Sequence, residues 1–117
     1  MPGKRILVVD DDAGVRTSVE LLLKRLGHSV ETAADGTAAL AKMSTAAFDL
    51  VVTDLEMPGI KGDQLAREVK KRQPALPVVM LTGTIEVSRV PGVDLIVFKP
   101  FSLDDLRSAL QVVPEPA

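Results

Sequence analysis

Four small groups of residues in this 117-residue chain could carry chemistry: Asp10-Asp11-Asp12, Asp54, Thr82 and Lys99-Pro100. Each stands at or just beyond the end of a short apolar run, namely Ile6 to Val9, Leu50 to Thr53, Val78 to Leu81 and Leu95 to Phe98. Ligands of open α/β sheets bind outside the carboxyl ends of the strands, so if these runs are strands, the four groups meet on one edge. Two carboxylates about 4 Å apart at an effective dielectric near 20 repel by about 4 kcal/mol. Gathering Asp10, Asp11 and Asp54 therefore demands countercharge. Lys99 supplies one positive charge, and a hard divalent cation supplies more; carboxylates, a backbone carbonyl and waters suit magnesium. A metal-held carboxylate beside a lysine is a place to receive a phosphoryl group, with a hydroxyl such as Thr82 binding one of its oxygens. Each residue also has a plainer reading on its own. Asp12 reads as the N-cap of the following helix, Asp10 and Asp11 as turn residues, Asp54 as a loop carboxylate, Thr82-Gly83 as a strand end, and Lys99-Pro100 as an exposed, loop-shaping pair. Their joint placement at four strand ends is what favours a site.

The elements that must position these residues alternate along the chain. A weaker fifth run, Ser29 to Ala33, joins the four above, and those four, being continuous, suit strands buried on both faces of a parallel sheet. Val15, Val19, Leu22, Leu23 and Leu26 recur at helical spacing, with Gly27 as a stop signal. A second helix opens near Asp35 and carries Leu40 and Met43. A third buries Leu65 and Val69 and leaves Gln64, Arg67, Lys70, Lys71 and Arg72 on its wet side. Ser102 with Asp105 resembles a capping box opening a last helix around Leu106, Ala109 and Leu110. Strand and helix thus alternate in an open α/β sheet with right-handed crossovers and helices on both faces. The chain reads as one domain over residues 1–117, with 113–117 as a stop or the start of a linker.

Composition narrows the function classes. With no cysteine and a single histidine, His28, zinc ribbons, thiol catalysis and two-histidine metal sites are excluded. A net charge of −2 gives no electrostatic case for nucleic acid, and three phenylalanines as the only aromatics make a base-stacking platform a poor fit. Lys70, Lys71 and Arg72 read more simply as a solvated helix face, and His28 as a strand-edge residue. No apolar run reaches membrane-spanning length, and residues 1–5 lead straight into a strand rather than a signal peptide. The expectation is a cytoplasmic domain with neither membrane nor nucleic-acid contacts.

The stretches Ile6-Leu7-Val8-Val9-Asp10-Asp11-Asp12, Asp54-Leu55-Glu56-Met57-Pro58-Gly59-Ile60-Lys61-Gly62, Met80-Leu81-Thr82-Gly83 and Phe98-Lys99-Pro100-Phe101 resemble, in order and over essentially the whole chain, the receiver domain of two-component response regulators. The resemblance implies a flavodoxin-like, doubly wound five-stranded parallel sheet of order 2-1-3-4-5. It implies that Asp54 takes a phosphoryl group from a histidine kinase or phosphotransfer protein, with Mg2+ held by Asp11, by Asp10 through water, by Asp54 and by the Glu56 carbonyl. Thr82 resembles the switch hydroxyl, Lys99 the lysine that pairs with the acyl phosphate, and the Lys99-Pro100 bond is implied to be cis. A downstream effector protein or domain would read the phosphorylated state. Glu56 and Thr84 fall where family residues flank the acyl phosphate. Two features depart from the pattern. Lys99 follows Thr82 by only seventeen positions, roughly one helical turn short, and Val90-Pro91-Gly92-Val93 lies in the gap, so the fourth helix is expected to be shortened or absent. Ile96 stands where the family often has a switching Tyr or Phe. Two other readings remain: a receiver-like binding module acting without phosphorylation, and a haloacid dehalogenase-type phosphohydrolase with Asp10 as nucleophile.

Overall fold

The computed structural model describes residues 3–83 and 90–113. They form β1 (Arg5–Val9), α1 (Ala13–Arg25), β2 (Ser29–Ala33), α2 (Gly36–Thr45), β3 (Leu50–Asp54), α3 (Gly62–Arg72), β4 (Val78–Thr82), β5 (Leu95–Phe98) and α4 (Leu103–Ala109), with a 3-10 turn, Leu110–Val112, closing the last helix. The strands make one parallel sheet of order β2-β1-β3-β4-β5, the expected flavodoxin-like arrangement. Side chains alternate across each strand, so one sequence run feeds two cores. Leu7, Val9 and Val51 pack with Ala39, Met43, Leu65 and Val69 of α2 and α3. Ile6, Val8, Leu50 and Val52 pack with Val19, Leu23, Leu106 and Ala109 of α1 and α4. Among the described residues no helix is long and apolar enough to cross a membrane.

Local chemistry starts and stops the helices. Asp12 caps α1, accepting from the N–H groups of Gly14 (2.8 Å) and Val15 (3.2 Å), and Asp35 caps α2 through Ala38 N–H (2.8 Å). After α1 the chain turns at Gly27, whose φ of +95° is a conformation that side chains with a Cβ resist. Ser102 and Asp105 form the expected capping box of α4 through reciprocal bonds of 3.1 and 2.8 Å.

Two expectations are corrected. The apolar run of β5 was expected to be buried on both faces, yet β5 is an edge strand on which Leu95 is 36% and Phe98 42% exposed. A continuous apolar run does not report whether a strand has one neighbour or two. Lys70, expected on the wet side of α3, is half-buried. Its Nζ donates to Leu76 O and Asp94 Oδ2, both at 2.7 Å, and Asp94 Oδ2 also accepts from Val78 N–H at 2.8 Å. This bridge ties α3 to the starts of β4 and β5. Among the described residues no helix lies between β4 and β5, where residues 90–93 form a turn closed by Val93 N–H on Val90 O at 3.1 Å. Residues 84–89 of that connection, Thr84 included, lie outside the described residues.

His28 seals the opposite end of the sheet from the acidic groups. Its Nδ1 accepts the Lys4 N–H at 2.9 Å, which requires an unprotonated nitrogen there. Burial lowers the imidazole pKa below 6.5, and the Lys4 charge lowers it further. The folded state then binds fewer protons than the unfolded state between the lowered value and 6.5, so this contribution is complete above 6.5 and fades as pH falls through that window. Urea unfolding should show His28→Gln, which keeps an uncharged acceptor, losing less stability on acidification than the unsubstituted chain. The difference should be at most about 1 kcal/mol, the worth of one part-exposed hydrogen bond.

Candidate functional site

The strand ends do converge. Asp54 is the last residue of β3 and Thr82 the last of β4. Asp10 and Asp11 follow β1, and Lys99 follows β5. Carboxylate oxygens of Asp10, Asp11 and Asp54 lie within 4.8 Å of one another. Lys99 Nζ stands 3.2 Å from Asp54 Oδ1 and 3.6 Å from Asp10 Oδ2. Asp10 and Asp54 are 2% and 7% exposed, whereas Asp11 is open to solvent. Thr82 is buried, and its carbonyl accepts the Lys99 N–H at 2.8 Å, so the hydroxyl-bearing strand end and the lysine are joined through the backbone. The Lys99-Pro100 peptide bond is cis, as the sequence resemblance implied.

Three negative charges face one ammonium here, leaving a residual charge that a divalent cation would neutralise. The donors are all oxygens, the hard ligands magnesium takes. Asp10 Oδ2, moreover, is buried without a hydrogen bond among the described residues, a costly state unless a ligand completes it. Asp10, Asp11 and Asp54 thus fit a magnesium ion. Burial pushes the Asp10 carboxyl above its ordinary value, and Asp54 and Asp11 push the same way, opposed by the Asp12 N–H and by Lys99. Asp12 itself stays outside this cluster, its carboxylate committed to the first turn of α1.

Close packing sets the position of Asp54. The first turn of α3 passes directly over the end of β3, where Gly62 N–H donates to Leu55 O at 3.0 Å. A Cβ on Gly62 would collide with the Asp54 carbonyl oxygen and lie 2.8 Å from Leu55 Cα. Glu56 is exposed in the β3–α3 loop, and Ile96 is half-buried on β5 opposite Met80, with neither ring nor hydroxyl to offer the site. Arg16, which the sequence reading did not single out, donates from Nη1 to the Asp10 carbonyl at 2.7 Å. A basic residue in the first turn of a helix was the available signal.

The family model for the response regulator receiver domain matches residues 6–111. The chain belongs to that family. Response regulator MprA of Mycobacterium sp. (strain KMS) is 39% identical over 114 residues, covering 93% of this chain and 50% of MprA. Transcriptional regulatory protein ResD of Bacillus subtilis is 38% identical over 103 residues, covering 84% of this chain and 42% of ResD. The chain therefore spans half or less of these relatives, and 9% of the sensor protein EvgS of Escherichia coli, to which it is 34% identical over 110 residues. Among solved structures, the response regulator TrrA of Thermotoga maritima, crystallised with Mg2+ and BeF, superposes with a TM-score of 0.88 at 33% identity, covering 95% of this chain and 99% of TrrA. The receiver domain is a phosphoacceptor module rather than an enzyme turning over a separate substrate, which sets aside the dehalogenase-type alternative.

Two outcomes follow from the packing and charge of this receiver domain. Gly62→Ala should lower the melting temperature through an overpacking cost of about 1–3 kcal/mol, and slow phosphoryl uptake because the Asp54 backbone must shift. A carboxyl raised in the folded state gains stability for that state as pH falls from the raised value towards 3.8. By the same logic, Asp10→Asn in a chelator at neutral pH should melt about 3–6 °C above the unsubstituted chain, for about 1 kcal/mol of relieved charge burial and carboxylate repulsion. The variant should also lose much of the Mg2+-induced rise in melting temperature.

Proposed function

We propose that the chain works in two-component signalling by accepting a phosphoryl group on Asp54 and using it to switch partner binding. The observation that carries this reading is the Asp54 carboxylate at a strand end, 3.2 Å from Lys99 Nζ and clustered with Asp10 and Asp11. An Asp54 oxygen attacks the phosphorus of a phosphohistidine. The P–N bond breaks as the P–O bond forms, the electron pair leaves on the imidazole nitrogen, and a mixed acyl-phosphate anhydride results, which water later hydrolyses. Lys99 holds the Asp54 carboxylate before transfer and offsets charge on the phosphoryl oxygens afterwards. Thr82 supplies a hydroxyl to one of those oxygens. Magnesium, when bound by Asp10, Asp11, Asp54 and the Glu56 carbonyl, adds electrostatic stabilisation of the transferring group.

The donor is a histidine kinase or phosphotransfer protein, the reader a downstream effector protein or domain, and the setting cytoplasmic. Phosphorylation shifts a conformational population only by its differential stabilisation; moving 1:99 to 99:1 takes about 5.5 kcal/mol. With Ile96 in place of a switching ring, the contact that links Thr82 to the lysine is the backbone bond from Lys99 N–H to the Thr82 carbonyl.

Incubation with Mg2+ and a small acyl-phosphate donor should add the mass of one phosphoryl group to the unsubstituted chain and none to Asp54→Asn. Identical behaviour of the two would remove Asp54 from this role.

A further inference from the structure

Asp10 is held at three of its polar atoms. Its N–H donates to Ala33 O at 3.1 Å, its Oδ1 accepts the Asp12 N–H at 2.9 Å, and its carbonyl accepts from Arg16 Nη1 at 2.7 Å. The fourth, Oδ2, is buried without a hydrogen bond among the described residues, its charge faced by Lys99 Nζ at 3.6 Å. The first two anchors are backbone groups of the sheet and the turn, but the third is a side chain reaching back six residues from α1. Arg16 occupies the fourth position of that helix, where the dipole is positive and a cation is unfavourable. The other basic residues of the helix, Lys24 and Arg25, stand in its last turn, where the dipole favours them. The half-buried guanidinium is committed to a backbone carbonyl, which places its effect on the shape of the β1–α1 turn.

We propose that Arg16 is a positioning residue for the cation site. By fixing the Asp10 carbonyl it sets the turn that aims Asp10 Oδ2 and carries Asp11. The inference rests on the reading that these carboxylates bind Mg2+. Charge and positioning make opposite demands: a positive group near a cation site weakens Mg2+ binding by repulsion, whereas a group that preorganises the ligands strengthens it. The sign of the change on removing the guanidinium separates the two.

The experiment is calorimetric titration of Mg2+ into the full chain, with melting temperatures taken in chelator. Arg16→Met keeps the aliphatic stem and removes the donor; it should weaken Mg2+ binding about tenfold, as loss of a group orienting a metal ligand does. Arg16→Lys restores a charged donor and should return affinity to within about threefold of the unsubstituted chain. Arg25→Met, at the far end of the same helix, should leave it unchanged. Equal or tighter Mg2+ binding by Arg16→Met overturns the proposal. So does weakened binding that follows a fall in metal-free melting temperature and is not recovered in Arg16→Lys, since that pattern marks a general structural role. Absence of Mg2+ uptake by the unsubstituted chain would instead overturn the reading of the site itself.

Discussion

Repulsion among three carboxylates is the constraint around which this domain is arranged. Asp10, Asp11 and Asp54 hold oxygens within 4.8 Å of one another, a cost of several kcal/mol at the effective dielectric of a protein edge. Only a rigid frame keeps like charges so close, and the sheet is that frame. Asp54 ends a strand whose residues are all buried; the strand is paired with β1 up to Thr53 and with β4 through Asp54 itself, opposite Leu81. Lys99 offsets part of the charge, and the remainder makes the site a trap for a divalent cation. Affinity for a divalent cation and local instability of the metal-free site have the same origin.

Around that centre, small devices remove alternatives. Asp12 is engaged by the first turn of α1, so the third aspartate of the run caps a helix instead of adding a fourth charge. Gly62 lets α3 start in contact with the Asp54 carbonyl, where any Cβ would collide. The Thr82 carbonyl accepts the Lys99 N–H, so the strand ends bearing hydroxyl and ammonium cannot drift apart independently. Lys70 and Asp94 clamp α3 to the starts of β4 and β5, bracing the side of the sheet where the described crossover residues form a turn rather than a helix.

The convergence of Asp10, Asp11, Asp54, Thr82 and Lys99 was legible because its signal is doubled: each has a polar or charged side chain, and each stands at or just beyond the end of an apolar run. Once the runs are strands of one parallel sheet, convergence follows from topology, without reference to particular contacts. Lys70 was misread because helical periodicity sorts residues by the face of their own helix. It carries no information about Asp94, twenty-four residues away, which draws the ammonium inward. Arg16 went unnoticed for a related reason: its partner is a backbone carbonyl, and every residue has one.

The sequence by itself determined the alternation of strand and helix, the capping residues, the order of the acidic, hydroxyl and basic groups, and the loss of helical pattern near Pro91 and Gly92. These depend on spacing and on interactions within a few residues. The tertiary structure alone decided that β5 lies at an edge with Leu95 and Phe98 exposed, that Asp10 Oδ2 is buried without a hydrogen bond, and that Arg16 and Lys70 turn towards backbone oxygens. Each of those depends on which surfaces meet after the chain has closed on itself, and burial is a property of the assembled neighbours rather than of the residue.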